Sequence, residues 1–147
     1  MIVLVATDGS ELSVAAAHRA FEVLGTPTEV TVLAVLTEVP GNDAGGFESS
    51  TQSPLEARQE WENETTAAQD ALRATLAEVH GAHVVTRVEV GDAGPTIVWV
   101  AEQIAADVVV VGSHGRGALK RLVSGSVSEH VVHHSPCPVL VVRHDGK

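Results

Sequence analysis

The sequence predicts an α/β fold, an open parallel sheet of five strands with helices on both faces. Short valine-rich runs alternate along the 147 residues with longer segments whose apolar residues recur at helical spacing. Strands that alternate with helices indicate parallel pairing, because each helix returns the chain to the start of the next strand. Glycine-containing turns leave two of the buried runs, at residues 7–10 and from Gly112 onward.

The predicted elements alternate strictly from a first strand to a fifth, within one domain that spans residues 1–147. Ser10 is a good N-cap for the first helix, Gly25 closes that helix, and Pro95 suits the first position of the third. Trp61 and Trp99 are predicted to be helix-packing residues. The predicted strands cover residues 2–6, 28–36, 84–90, 107–111 and 139–143, and the predicted helices cover residues 11–24, 55–79, 95–105 and 126–134.

Composition and charge narrow the class of protein. Hydrophobic residues make up 44% of the chain and aromatic residues 3%, so the predicted core consists of Val, Leu, Ile and Ala. The net charge of −10 argues against non-specific binding to nucleic acid or to an anionic membrane. Cys137 is the single cysteine, which fits a reducing compartment. No apolar run approaches the roughly 20 residues of a membrane-spanning helix, and no basic segment precedes the first strand, so we expect a soluble, cytoplasmic protein.

One glycine-rich stretch joins the fourth strand to the fourth helix and carries the strongest signal for a binding site. Gly112, Gly115, Gly125 and Ser126 have the spacing G-x2-G-x9-G-[ST]. Glycine lets another molecule approach the backbone closely, and the first turn of a helix presents unpaired N–H groups at the positive end of its dipole. Glycines after a strand often form only a turn, but this combination predicts an anion site, most often one for phosphate. The stretch is neither a Walker A loop nor a dinucleotide-binding fingerprint.

This spacing resembles the nucleotide-binding signature of the universal stress protein family, in the branch that binds ATP. The likeness covers almost the whole chain and includes the opening VLVATDGSELS, the stretch VEVGDAG before the third helix and the closing SPCPVLVVR. The resemblance implies a Rossmann-like fold with strand order 3-2-1-4-5 and a crevice between the first and fourth strands. It also implies a homodimer that pairs edge to edge through the last strand, at Val139, Leu140, Val141 and Val142.

The resemblance further implies how ATP, with or without Mg²⁺, is held. Val35, near the end of the second strand, matches the residue whose backbone meets the adenine. Asp8, which follows Thr7, matches the acidic residue near the ribose or near the metal and phosphate. Arg116 and Lys120 stand at positions that the motif leaves free. The implied nucleotide-binding residues are Thr7, Asp8, Val35, Gly112, Gly115, Arg116, Gly125, Ser126 and Val127.

Several polar residues also have a purely structural interpretation. Asp8 could cap the first helix, although Ser10 is better placed for that, and Ser126 could cap the fourth helix. The histidines at positions 130, 133 and 134 look like a metal cluster, but no carboxylate or cysteine completes a persuasive set.

Three functions are open at this stage. In the first, the chain is a regulatory protein of the stress response in which ATP biases a conformation or a partner surface. In the second, it is a slow ATPase or a nucleotidyl or phosphoryl transferase, for which only Asp8, His114 and Arg116 are candidates. In the third, it is a structural dimer with a vestigial site, and the intact glycine spacing argues against this function.

Overall fold

Strands and helices alternate along the chain in the computed structural model, which describes residues 1–37, 53–81, 83–113 and 126–143. The strands are β1 (Ile2–Ala6), β2 (Glu29–Leu36), β3 (His83–Val90), β4 (Val108–Gly112) and β5 (Val139–Val142). The helices are α1 (Glu11–Leu24), α2 (Pro54–Leu76), α3 (Ala93–Gln103) and α4 (Ser126–His134). None of these helices is both long enough and apolar enough to span a membrane.

The five strands form one parallel sheet in the order β3-β2-β1-β4-β5, which confirms the predicted order. Val5 of the central strand β1 lies opposite Val32 of β2 on one side and opposite Val110 of β4 on the other. The chain moves outward from β1 to β3 and then crosses back to β4 and β5. The strand order therefore reverses between β1 and β4, and ligands of such sheets bind outside the carboxyl ends of the strands at this point.

Two apolar layers hold the helices against the sheet. In the layer under α1 and α2, Val5 and Val32 pack in one cluster with Phe21 and Leu72. The layer on the opposite face, under α3 and α4, contains Leu4, Leu33, Ile97, Val100, Val109 and Val131. Valine predominates in the strands because its branched side chain fits a pleated surface that is covered on both faces.

The two tryptophans are more exposed than predicted. Trp61 and Trp99 are 40% and 45% exposed, so the prediction that they are helix-packing residues is wrong. In α2 the buried residues begin only at Ala68. Thr75, one residue before the end of α2, already lies beside Thr7, just past the end of β1. The earlier turns of α2, which include Trp61, therefore lie beyond the end of β1.

The helices α2 and α3 begin one and two residues earlier than predicted. Ser53 caps α2 in a capping box with Glu56, in which each side chain accepts the other residue's backbone N–H. The hydrogen bond from the Ser53 N–H, and after it the Ser53 side chain, lowers the pKa of the Glu56 carboxyl, because it stabilises the ionised form. In α3, which begins at Ala93, Pro95 lies inside the first turn, where its missing N–H removes no helical hydrogen bond.

Candidate functional site

The carboxyl ends of β2, β1 and β4 bring four predicted site residues to one edge of the sheet. Thr7 and Asp8 follow β1, Val35 is the penultimate residue of β2, and Gly112 is the last residue of β4. Neighbouring strands lie about 4.8 Å apart, so these three strand ends span about 10 Å. The sheet order thus places the turn after β1 beside the start of the glycine-rich stretch, at the point where the strand order reverses.

The turn between β1 and α1 is organised by Asp8. Its Oδ1 accepts hydrogen bonds from the Ser10 N–H (3.0 Å) and from the Ser10 hydroxyl (2.6 Å). The same hydroxyl oxygen accepts the Ser13 N–H (3.2 Å), which makes Ser10 the N-cap of α1, as predicted. Asp8 therefore supports the N-cap of α1 through Ser10, and its carboxylate stands just outside the first turn of α1.

Gly9 allows α2 to pack directly on this turn. Its φ is +73°, a backbone conformation that residues with a Cβ rarely adopt. A Cβ at this position would lie 2.7 Å from both the Cα and the Cβ of Ala71 in α2. The sequence indicates only a turn at Gly9, because no local pattern reports a helix that passes over a loop.

Thr7 belongs to a buried group of hydroxyls below the turn. Its Oγ1 lies 2.7 Å from the Thr75 Oγ1 and 3.0 Å from the Ser13 Oγ, and it accepts the Gly9 N–H (3.1 Å). Thr75 is fully buried and donates to the Ala71 carbonyl (2.9 Å). The Thr7 hydroxyl therefore joins the turn to α1 and α2, and this side chain stabilises the shape of the site from beneath.

Val35 lies on β2 beyond the point where β1 ends. The Thr7 N–H, just past β1, donates to the Leu33 carbonyl (2.9 Å). Alternate residues of a strand direct their peptide groups to the same side, so the N–H and C=O of Val35 also point to the side of β1. The next residue, Leu36, points its carbonyl the other way and accepts the Gly91 N–H (2.8 Å). The main chain of Val35 therefore faces the crevice past the end of β1.

Gly112 lies under α1 at the end of β4. A Cβ at this position would lie 3.6 Å from the Leu12 carbonyl oxygen and 3.7 Å from the Ala16 Cβ, which are ordinary contact distances. Packing against α1 therefore does not by itself require glycine at this position. The other predicted residues of the glycine-rich stretch lie outside the described residues: Gly115, Arg116 and Gly125, together with His114 and Lys120.

Ser126 and Val127 begin α4, as predicted, and both are exposed. A helix that connects two parallel strands runs antiparallel to them. Its N-terminus therefore lies at the end of the sheet where the strands have their carboxyl ends. The first turn of α4 thus lies at the same edge as Asp8 and Gly112. Its N–H groups have no partners within the helix and carry the positive end of the helix dipole, which suits an anion.

The histidines of α4 pack against one another and against α3. The rings of His130 and His134 stack with centroids 4.1 Å apart, and His134 Nδ1 lies 2.8 Å from the His130 carbonyl oxygen. A Cβ on Gly94, in the first turn of α3, would lie 2.9 Å from the His130 ring. Among the residues that the structure describes, no group of three His, Cys, Asp or Glu side chains is placed to hold a metal ion.

This architecture defines a Rossmann-like α/β protein with its candidate site at the switch point of a 3-2-1-4-5 sheet. Comparison with known proteins gives the family, because the model of the universal stress protein family matches residues 1–143. The chain belongs to the universal stress protein family.

Relatives match most of the chain. Universal stress protein MJ0531 of Methanocaldococcus jannaschii is 32% identical over 151 residues, which cover 99% of this chain and 83% of that protein. Universal stress protein Sll1388 of Synechocystis is 32% identical over 120 residues, which cover 80% of this chain and 74% of that protein. The fold is similar to that of universal stress protein UspA from Lactobacillus plantarum, with a TM-score of 0.72, 25% identity and 97% of each chain covered.

Two solved structures of the same fold contain adenine nucleotides. A universal stress protein in complex with cAMP has a TM-score of 0.62 and 22% identity, with 97% of this chain and 96% of that chain covered. A universal stress protein family protein from Arabidopsis thaliana with AMP bound has a TM-score of 0.66 and 18% identity, with 99% and 93% covered. At these identities the likeness shows the shared fold, and the nucleotides belong to those two proteins.

Proposed function

We propose that this universal stress protein is a regulatory protein that binds ATP, with or without Mg²⁺, at the crevice between β1 and β4. One observation carries the proposal. The spacing G-x2-G-x9-G-S starts at Gly112, the last residue of β4, and ends at Ser126, the first residue of α4. The stretch is thus anchored at both ends to the edge of the sheet where its phosphate-binding role requires it.

The described residues around the crevice fit the parts of an adenine nucleotide. The main chain of Val35 offers a donor and an acceptor past the end of β1, which suits the edge of an adenine base. The Asp8 carboxylate, oriented by Ser10, suits a ribose hydroxyl or a Mg²⁺ ion. The first turn of α4, beginning at Ser126, offers N–H groups to phosphate. Because the chain carries a net charge of −10, such local donors are needed to hold an anion.

Adenine nucleotides are compatible with this fold, since related structures hold cAMP and AMP. The choice of ATP rests on the glycine spacing alone, which resembles that of the ATP-binding branch of the family.

A regulatory role is favoured over catalysis by the hydrogen bonds of the described turn. Its hydroxyls at Thr7, Ser10 and Ser13 are bonded to one another, to Asp8 or to Thr75, an arrangement that holds the turn in shape.

Saturating ATP is expected to stabilise the fold without being consumed. At about 100 times its dissociation constant, a ligand adds about 2.7 kcal/mol to the free energy of unfolding. For a chain of this size that gain raises the melting temperature by about 5–10 °C. The measurement pairs a thermal melt with a phosphate-release assay on the same sample, at fixed protein concentration.

Two outcomes of that experiment contradict the regulatory function. Turnover at or above about 1 s⁻¹, the low end of ordinary enzymes, together with its loss in Asp8→Ala, indicates an enzyme instead. The absence of a thermal shift with ATP, AMP and cAMP alike indicates a structural protein with a vestigial site.

We further infer that the protein forms a homodimer through β5. This strand is at an edge of the sheet, and all four of its residues are half-buried and apolar. The Val142 carbonyl accepts the Ser113 N–H (2.9 Å), so Val142 faces β4 and its neighbour Val141 directs its peptide groups outward. An apolar edge of this kind pairs with another strand unless it is protected.

The variant Val141→Pro is expected to abolish pairing through β5. Proline removes the outward N–H that a second chain needs and leaves the hydrogen bonds between β5 and β4 intact. Sedimentation equilibrium gives the masses, and circular dichroism shows that the variant is folded. Wild-type protein at the single-chain mass, or a variant that associates as tightly as the wild type, contradicts pairing through β5.

A further inference from the structure

Within the part of the chain that the structure describes, β3 is the least buried strand of the sheet, at the edge opposite β5. The helices α2 and α3 both pack over β2, the next strand inward. In β3, Val85, Val88 and Val90 are between 40% and 47% exposed, so apolar side chains are open on both faces of the strand. Single exposed valines are common on protein surfaces, but Val88 and Val90 share one face of this edge strand and form a small apolar patch, while Val85 is exposed on the other face.

The outer backbone of β3 is suited to pairing with another strand. The His83 N–H donates to the Thr28 carbonyl (3.1 Å), so the odd-numbered residues of β3 direct their peptide groups to β2. The even-numbered residues, Val84, Thr86, Val88 and Val90, direct theirs outward. None of these four is a proline, which would remove an outward N–H. The eight residues of β3 give an open edge about 26 Å long.

Two opposite charges lie on either side of Val88. Arg87 and Glu89 project from the same face of β3 and are ion-paired within the chain, with side chains only 29% and 27% exposed. The Arg87 guanidinium carbon also lies 5.1 Å from the centre of the Trp99 ring of α3. A two-fold axis through Val88 would bring Arg87 of one chain opposite Glu89 of a second chain, and the reverse. The segment is therefore complementary to itself in antiparallel pairing.

We propose that β3 pairs antiparallel with β3 of a second copy of this chain, with Val88 on the two-fold axis. Val88 faces Val88 of the second copy in a hydrogen-bonded pair, and Thr86 faces Val90. On either side, Arg87 faces Glu89 of the second copy, where opposite charges favour the pairing. The interface covers the exposed valines and leaves the crevice between β1 and β4 free. It is separate from the β5 edge and does not depend on nucleotide binding.

The small area of such a pairing predicts a weak, concentration-dependent association in the micromolar range. The experiment uses Val141→Pro as the background, so that only the β3 edge can pair. The variant Arg87→Glu, made in this background, brings the carboxylate at position 87 of one chain opposite the Glu89 carboxylate of the second chain. The variant Glu89→Arg, made in the same background, brings two guanidinium groups opposite each other at these positions. Each variant alone repels itself, whereas a chain of one and a chain of the other are complementary at both positions. Sedimentation equilibrium in about 0.15 M salt limits the general repulsion between acidic chains, since the Debye length there is about 8 Å.

The Val141→Pro parent is expected to approach twice the single-chain mass as its concentration rises. Arg87→Glu and Glu89→Arg are each expected to stay at the single-chain mass, and their equimolar mixture to recover the doubled mass. A parent that stays monomeric at every concentration overturns the proposal. So does a single variant that associates as the parent does, or a mixture that stays monomeric, since either outcome removes the predicted register. Circular dichroism of each variant confirms that it is folded before its mass is interpreted.

Discussion

Gly125→Val is expected to abolish ATP binding, with a loss of affinity of at least about 100-fold. The glycine spacing places Gly125 immediately before Ser126, the first residue of α4. A phosphate that accepts N–H groups from the first turn of α4 must approach the backbone at this position. Two branched methyl groups there occupy the space of the phosphate oxygens, and the loss of several charge-assisted hydrogen bonds accounts for the size of the effect. Isothermal titration calorimetry measures the affinity.

The matched control is Gly117→Val, in the same stretch. Gly117 stands at one of the positions that the spacing leaves free, so the same change of side chain is expected to alter the affinity by less than about three-fold, within the effect of a typical surface substitution. Circular dichroism and thermal melts show whether each variant is folded. If Gly125→Val binds ATP as the wild type does, the phosphate site is not where the spacing puts it. If both variants lose binding equally, the spacing carries no specific information.

The bounds of several elements could be predicted from local patterns, whereas the order of the strands was implied by the motifs and by the resemblance to the universal stress protein family. Valine runs and cap signals placed β1 at residues 2–6 and α4 at residues 126–134, where the structure has them. The glycine stretch after β4 and the Asp8 turn after β1 then favoured these two strands as neighbours, and the sheet confirms it. Ser10 was identified as the N-cap of α1 because a cap needs only the three residues that follow it.

The contacts that shape the site could not be predicted, because they join residues far apart in sequence. Thr75 meets Thr7 only because α2 crosses the turn after β1, and no periodicity along α2 reports that crossing. The same crossing leaves Trp61 exposed, although it belongs to the apolar stripe of the helix. Periodicity identifies the apolar face of a helix and gives no information on how far the sheet extends beneath it. The roles of Gly115, Arg116 and Gly125 stay predictions, since they lie outside the described residues.

Gly9→Ala is expected to destabilise the fold by about 2–5 kcal/mol, the largest effect on stability that we predict from a single methyl group. One part of the cost is the positive φ of +73°, which disfavours any residue with a Cβ by about 1–2 kcal/mol. The other part is the contact with α2, because the new Cβ lies 2.7 Å from the Ala71 Cα, a backbone atom that can move only with its helix. Overpacking of this kind costs about 1–3 kcal/mol.

Gly25→Ala is the control that separates these two parts. Gly25 has nearly the same φ, +72°, with a ψ of −144° that places it in a region occupied almost only by glycine. A Cβ there has no atom within 4 Å, so this variant should lose only the conformational cost of about 1–3 kcal/mol. Urea unfolding of both variants at one protein concentration gives their two free energies of unfolding. In thermal melts, the melting temperature of Gly9→Ala should lie roughly 4–8 °C below that of Gly25→Ala. Equal losses in the two variants would mean that α2 does not press on the turn at Ala71. A larger loss in Gly9→Ala would establish that α2 fixes the turn that carries Asp8, and so couples the shape of the crevice to the packing of this helix.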